Sequence, residues 1–171
     1  MEKNWKIKET DNKIVQELSE SLGVSRTIAH LLALRGITTY DEAKQFFRPD
    51  FSHFHKPFLM KDMQRAVNRI QKAISNNEKI LIYGDYDVDG TTSVAMIYTF
   101  LSTITDNIDS YIPCRYKEGY GISLQGIDYA KENNFSLIIA LDCGIRAVQQ
   151  IDYANEKRVD FIICDHHNPG E

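Results

Sequence analysis

The sequence is poor in cysteine and has no cysteine pair. Cys114, Cys143 and Cys164 are odd in number, far apart and outside any CxxC spacing, so no disulfide framework is indicated. Each sits in or beside an apolar run, and all three read as reduced thiols of a core. No apolar run approaches the roughly 18 residues of a membrane span. The opening stretch MEKNWKIKETDNK is polar and lacks the apolar centre of a signal peptide, so a soluble cytoplasmic protein is expected. Internal repeats and low-complexity tracts are missing. Two phosphate-binding loops are missing as well. Between Gly84 and Gly90 lie five residues, three of them acidic, and no lysine follows, which excludes a Walker A loop. No GxGxxG fingerprint occurs either.

What remains fits one compact domain with a small appendage: 171 residues, 43% hydrophobic and 26% charged. The net charge of −4 is unevenly spread. Residues 1–79 hold 14 Lys/Arg against 10 Asp/Glu, and residues 80–171 hold 6 against 14. The basic excess is too small to argue for a polyanion on its own. The acidic excess says more, because part of it falls at particular places.

The first 79 residues read as a helical N-terminal region. DNKIVQELSESLG puts Ile14, Val15, Leu18 and Leu22 on one stripe, with Gly23 as a stop. VSRTIAHLLALRG repeats the pattern between Ser25 as N-cap and Gly36. TYDEAKQFF has Glu42 three residues after Thr39, a capping-box signature, and Pro49 closes it. An aromatic connector, FSHFHKPF, follows. KDMQRAVNRIQKAISNN is then an amphipathic helix. His30 and the His53/His55 pair read as structural or solvent-facing.

From residue 80 onward, apolar runs alternate with helical patterns. KILIYGD, DSYIPC, SLIIALD and DFIICD are separated by TTSVAMIYTFLSTI, SLQGIDYAKENN and AVQQIDYANEKR. This rhythm predicts an α/β domain over 80–171, a parallel β-sheet with helices on both faces.

In such sheets ligands gather at the carboxyl ends of the strands. There the first run carries Asp85, Asp87 and Asp89, the third Asp142, and the fourth Asp165, His166 and His167. If the first strand continues through them, its three aspartates point to one side. Facing carboxylates are costly unless cations neutralise them. With the imidazoles, the set matches a two-metal Mn²⁺ or Mg²⁺ site for phosphoester hydrolysis. Taken singly, each aspartate has a plainer reading: Asp89 caps the next helix, and Asp85 bonds loop amides. Within residues 113–123, PCRYKEGYGIS, Arg115 and Lys117 are candidates for backbone phosphates and Tyr116 or Tyr120 for stacking on a base. Gly119 and Gly121 would allow close backbone approach. A polar loop with a packed tyrosine is the competing reading.

At these residues the chain resembles the DHH phosphoesterase superfamily, and within it the RecJ-type single-stranded-DNA exonucleases. GDYDVDGTTS is similar to their first motif, LDCG to the second and DHHNPGE to the third; PCRYKEGYGIS is similar to a segment particular to the RecJ type. LLALRGITTYDEAKQFF and PFLMKDMQRAVNRI resemble that type's N-terminal region. The resemblance implies a DHH-type, Rossmann-like fold and processive 5′→3′ removal of mononucleotides from single-stranded DNA, using Mn²⁺ or Mg²⁺, in recombination and repair. On the matching positions it implies Asp87 on one metal, Asp89 on the other, Asp142 bridging them and His166 on the second. It puts His167 at the scissile phosphate and has Asp165 orient the pair. The superfamily often has a metal-binding histidine where this chain has Tyr83, so Asp85 is expected to take that role. Single-stranded DNA is the implied nucleic-acid partner for Arg115, Lys117 and Tyr120, and repair or replication proteins are further partners.

The family continues past DHHNPG with another metal-binding aspartate, a linking helix and a second domain. The chain is therefore expected to be a monomeric N-terminal fragment with little nuclease activity of its own. Two alternatives stay open. One is another DHH phosphodiesterase, acting on oligonucleotides or cyclic dinucleotides. The other is an inactive DHH scaffold.

Overall fold

The structure, a computed structural model, describes residue 4 and residues 6–170. The final residue of the third motif, Glu171, lies outside the described residues. The chain divides into two compact units, Met1–Leu59 and Met60–Glu171.

The first unit is three short helices, α1 (Asn12–Leu22), α2 (Arg26–Ala33) and α3 (Tyr40–Phe47). Their ends are set by the residues that the sequence marks. The Asp11 carboxylate accepts from Lys13 N at 2.8 Å, and Gly23 ends α1 at φ 65°. Ser25 caps α2 by accepting from Ile28 N. The capping box forms in full: Thr39 accepts from Glu42 N, and the Glu42 carboxylate accepts from Thr39 N at 3.1 Å. A cap of this kind is worth about 1 kcal/mol. Apolar residues three and four apart then build a small core of Val15, Leu18, Ala29, Leu32 and Ala43. His30 bonds the Lys8 carbonyl, His53 accepts from Asp50 N, and His55 is exposed.

The second unit opens with α4 (Met63–Ser75), then β1 (Lys79–Gly84), α5 (Val88–Leu101), β2 (Ile108–Tyr111), α6 (Leu124–Glu132), β3 (Phe135–Leu141), α7 (Val148–Glu156) and β4 (Asp160–Cys164). The four strands form one parallel sheet in the order β2-β1-β3-β4. Side chains alternate between its faces. Ile80, Ile82, Leu137, Ile139 and Leu141 pack with Val94 and Leu101 of α5 and with Ile70, Ala73 and Ile74 of α4. Leu81, Tyr83, Ile138 and Ala140 pack with Ile127 and Ala130 of α6 and Ala154 of α7. Helices therefore cover both faces, as expected. The strand grammar begins at residue 80, but α4 packs with the sheet, so packing places it in the α/β unit.

At the amino ends of the strands, Arg69 of α4 meets Asp160 at 2.6 Å and Glu78 at 2.7 Å. The Ser136 hydroxyl donates to Glu78 at 2.6 Å. The Ser136 bond, with Arg69 beside it, outweighs the effect of burial and holds the Glu78 carboxyl at about 2. This cluster pins α4 to β1, β3 and β4 at the end opposite the carboxyl rim.

The thiols divide differently from the sequence expectation. Cys143 is buried, whereas Cys114 and Cys164 are exposed. Cys114 lies in the loop after β2, and Cys164 ends an edge strand, where an apolar run is covered less completely than in a central one. Among the described residues, no helix is long and apolar enough to cross a membrane.

The order of the strands fixes where a site can form. From β1 the chain runs through α5 to one neighbour, β2. It then crosses by α6 on the opposite face to β3, the other neighbour. The loops after β1 and β3 therefore part in opposite directions and leave a crevice at the carboxyl rim between them.

Candidate functional site

The first strand does not continue through its three aspartates, so the expectation that they share one strand face is corrected. β1 ends at Gly84, so Asp85, Asp87 and Asp89 all lie beyond the strand. Asp85 is fully buried. One carboxylate oxygen accepts from Tyr86 N at 2.8 Å and the Gly121 backbone also acts on the carboxyl, while Oδ2 is buried without a well-formed hydrogen bond. Asp87 is the N-cap of α5 and accepts from Gly90 N at 2.9 Å. Asp89 stands exposed in the first turn of α5. The capping role that the sequence offered to Asp89 thus belongs to Asp87. Gly90 makes the geometry possible: a Cβ there would collide with the Asp85 carbonyl oxygen and lie 2.7 Å from the Asp85 nitrogen. Only a residue without a side chain lets α5 start this close to the strand end.

Asp142 follows β3 with a left-handed φ of 58°, a conformation that aspartate tolerates better than most residues. Its N–H bonds Cys164 O at 2.9 Å, which carries the β3–β4 ladder one step further. That ladder sets the loops after β3 and β4 side by side. Asp142 Oδ1 lies 3.0 Å from His166 Nε2. Asp165 has turned the other way: Oδ1 meets His167 Nδ1 at 2.6 Å and accepts from His167 N, and Oδ2 accepts from Ile145 N at 3.0 Å. Arg146 Nε donates to Asn168 O at 2.7 Å, a second tie between the two loops. One ligand atom each from Asp142, His166 and His167 falls within a mutual 4.8 Å.

Charges from β1 reach the same place. Burial pushes the Asp85 carboxyl up, and the negative charges of Asp87 and Asp142 add to that. The Asp165 bond raises His167, and charge on Asp142 and Asp87 contributes in the same direction. Asp89, Thr92, Ser93, Asp142 and His166 border an open cavity of about 440 Å³. Another, of about 510 Å³, lies against Asp165 and His167, with Tyr120, Arg146 and Gln150 in its wall. The structure thus brings Asp142, His166 and His167 together, sets Asp89 on a cavity shared with Asp142 and His166 and Asp165 on the one beside His167, and leaves Asp85 and Asp87 near enough for their charges to act on this group.

The donor set suits a hard divalent cation. It consists of carboxylate oxygens and imidazole nitrogens, and one buried carboxylate oxygen lacks a well-formed hydrogen bond. The nearby Cys143 side chain packs in the core of the α6/α7 face, and burial pushes its thiol up to about 12.

Tyr83, which the resemblance sets against a metal-binding histidine, has a different occupation. It is buried on the α6/α7 face, stacks on Tyr111 with ring centroids 5.4 Å apart, and donates to Gly121 O at 2.8 Å. Its oxygen also accepts from Ser123 N at 3.1 Å. Burial raises its hydroxyl to about 12, so it stays neutral. The tyrosine anchors the segment that carries the candidate nucleic-acid contacts.

That segment leaves β2 and arches to the same rim. Tyr120 reaches His167, with its hydroxyl 3.4 Å from Nε2. The Arg115 guanidinium lies over the Tyr86 ring at 5.4 Å, and Tyr86 meets Tyr120 edge to face. Lys117 and Tyr116 are exposed, Tyr116 at 95%. Gly119 and Gly121 both have positive φ, 80° and 84°, with no atom within 4 Å of an added Cβ. Within the chain they serve the turn, not a close packing. Sequence reasoning missed Glu118, whose carboxylate accepts from Cys114 N, Tyr111 OH and Ser123 Oγ. It also missed Tyr86. No local pattern marks Glu118, because its partners lie four to seven residues away on either side.

A family model described as DHH family, N-terminal domain, matches residues 79–171. The chain belongs to the DHH family. Its DHH triplet is Asp165-His166-His167. The chain is 45% identical over 166 residues to the single-stranded-DNA-specific exonuclease RecJ of Bacillus subtilis, covering 97% of this chain and 21% of that one. A crystal structure of exonuclease RecJ bound to manganese superposes with a TM-score of 0.61 at 30% identity, covering 66% of this chain and 29% of that one. RecJ in complex with Mn²⁺ from Thermus thermophilus superposes with a TM-score of 0.65 over 95% of this chain and 22% of that one; at 23% identity it speaks to the fold. The chain spans about a fifth of the length of the first of these relatives.

Proposed function

We propose that the chain forms the front of the catalytic half of a metal-dependent 5′→3′ exonuclease that removes mononucleotides from single-stranded DNA in recombination and repair. The observation that carries this reading is the meeting of Asp142, His166 and His167 within 4.8 Å at a rim where Asp85 keeps a buried oxygen without a well-formed hydrogen bond. The names of the relatives supply the substrate class.

Asp85, Asp87, Asp89, Asp142 and His166 would hold two Mn²⁺ or Mg²⁺ ions. Bound there, these ions supply an activated water and positive charge for the phosphoryl oxygens. The remaining work falls to the chain's own groups. Asp165 occupies His167 Nδ1, so Nε2 is the nitrogen presented to a scissile phosphate. Tyr120 closes the same side of that ring. Arg115 and Lys117 contribute positive charge for the strand's backbone, and Tyr120 an aromatic edge for a base.

This chain by itself is read as monomeric and at most weakly active. The whole protein is read as cytoplasmic, with repair or replication proteins as partners. The deciding experiment uses the full-length protein with a 5′-labelled single strand, a duplex and a dinucleotide, each with Mn²⁺ or with chelator. Mn²⁺-dependent loss of the long single strand alone is expected, and it disappears in Asp142→Ala. Preference for the dinucleotide would turn the reading toward short-oligonucleotide phosphodiesterases. No hydrolysis of any substrate would leave a scaffold.

A further inference from the structure

We propose that Glu118 is a positioning residue that fixes the shape of the 113–123 loop, and through it the grip of Arg115 and Tyr120 on the substrate strand. The proposal rests on the single-strand nuclease reading above.

The loop joins β2 to α6 and contains two residues at positive φ, Gly119 and Gly121. Glycines widen the unfolded and misfolded alternatives of such a segment, so something must select one conformer. Glu118 stands in the middle of the segment and is bonded to both of its ends. Oε1 accepts from Cys114 N at 2.7 Å, at the start of the loop. Oε2 accepts from Tyr111 OH at 2.8 Å, on β2, and from Ser123 Oγ at 2.6 Å, at the end of the loop. Ser123 in turn caps α6 through Gly126 N at 2.9 Å. One carboxylate therefore ties strand, loop and helix together.

The carboxylate is ionised when it does this. Burial pushes Glu118 up, but the bonds from Ser123, Cys114 and Tyr111 outweigh it and hold the carboxyl below its ordinary value. Bonds to a charged acceptor are about twice as strong as neutral ones. Both Glu118 oxygens face donors of the loop and its flanks. The effect of Glu118 on the strand passes through its neighbours. Arg115, which sits over Tyr86, and Tyr120, which sits beside His167, both hang from this loop. Tyr83 provides the other anchor, at Gly121 and Ser123, but nothing in its reach holds the 114–118 half.

The test uses the full-length protein and a 5′-labelled single-stranded oligonucleotide with Mn²⁺. Glu118→Ala is expected to raise KM about tenfold and change kcat by less than about threefold. Mn²⁺ binding, read by calorimetry, stays as in the wild type. Glu118→Gln lies between the two, because its one oxygen can serve Cys114 N while its amide lets the two hydroxyls turn round and accept. In an Arg115→Ala/Tyr120→Phe background the alanine substitution adds less than about threefold, since its route to the strand is already cut. Should the alanine variant not fold, the Gln variant decides, with a KM rise of about threefold expected. An unchanged KM, or the same rise with and without Arg115 and Tyr120, overturns the proposal. A wild-type protein that leaves the oligonucleotide intact overturns the nuclease reading instead.

Discussion

The Asp165 carboxylate holds His167 Nδ1 at 2.6 Å with one oxygen and the backbone of Ile145 with the other. One side chain thus sets both a ring orientation and the spacing of two loops. Asp165→Asn keeps the volume but turns one acceptor into a donor. In the full-length protein, cleavage of single-stranded DNA under single-turnover conditions is expected to fall about 10- to 100-fold. Circular dichroism is expected to stay unchanged. Wild-type rates in this variant would remove Asp165 from the site.

Asp85 offers a prediction of the opposite kind. A fully buried carboxylate with one oxygen lacking a well-formed hydrogen bond, beside Asp87 and Asp142, costs folding energy until a cation neutralises it. Asp85→Asn is therefore expected to raise stability without metal by about 1–2 kcal/mol and to abolish most of the further gain on adding Mn²⁺. Thermal melts with and without Mn²⁺ measure both effects. A variant less stable than wild type in chelator would contradict the assignment.

Gly90 lies inside a helix, where alanine ordinarily stabilises by about 0.5–1 kcal/mol. Here the added carbon would collide with the backbone oxygen of Asp85 and come within 2.8 Å of its nitrogen and carbonyl carbon. Gly90→Ala is expected to destabilise by roughly 2–4 kcal/mol, because α5 must retreat from the strand end. Chemical denaturation reads the sign directly, and a stabilised variant would show that α5 starts further away.

Acid sensitivity should trace to Glu78. Its carboxyl is held at about 2 in the folded chain against 4.5 as a free side chain. A depressed carboxyl stabilises the fold above its unfolded value and loses that contribution as pH falls from about 4.5 toward 2. Discounted for solvent screening, the loss is on the order of 2 kcal/mol. Urea titrations between neutral pH and about pH 2.5 should show a steeper decline for the wild type than for Glu78→Gln. Parallel curves would mean that Arg69 and Ser136 contribute little.

The sheet, its covering helices and the three acidic strand ends were legible in the sequence because each rests on a local pattern: an apolar run, a 3.6-residue stripe or a capping residue. The site was legible as a destination but not as a geometry. Alternation predicts a common face for Asp85, Asp87 and Asp89 only while a strand lasts, and β1 stops at Gly84. Where the period changes from two to 3.6 residues, side-chain direction cannot be carried forward, so Asp87 turned out to be a cap and Asp89 a helical residue. The ties from Asp165 to Ile145 and from Arg146 to Asn168 join residues about twenty apart. Glu118 reads as one more surface acid until its three donors are placed around it. The exposed Cys164 shows the same limit: DFIIC looks like a core strand, and only the strand order reveals it as an edge.

The acids and imidazoles hang from three adjacent strands, β1, β3 and β4, while β2 at the margin carries none of them. The connection that leaves β2 supplies none of the candidate ligands, yet it touches them through Tyr120 beside His167, so a change in its length would be felt at that ring.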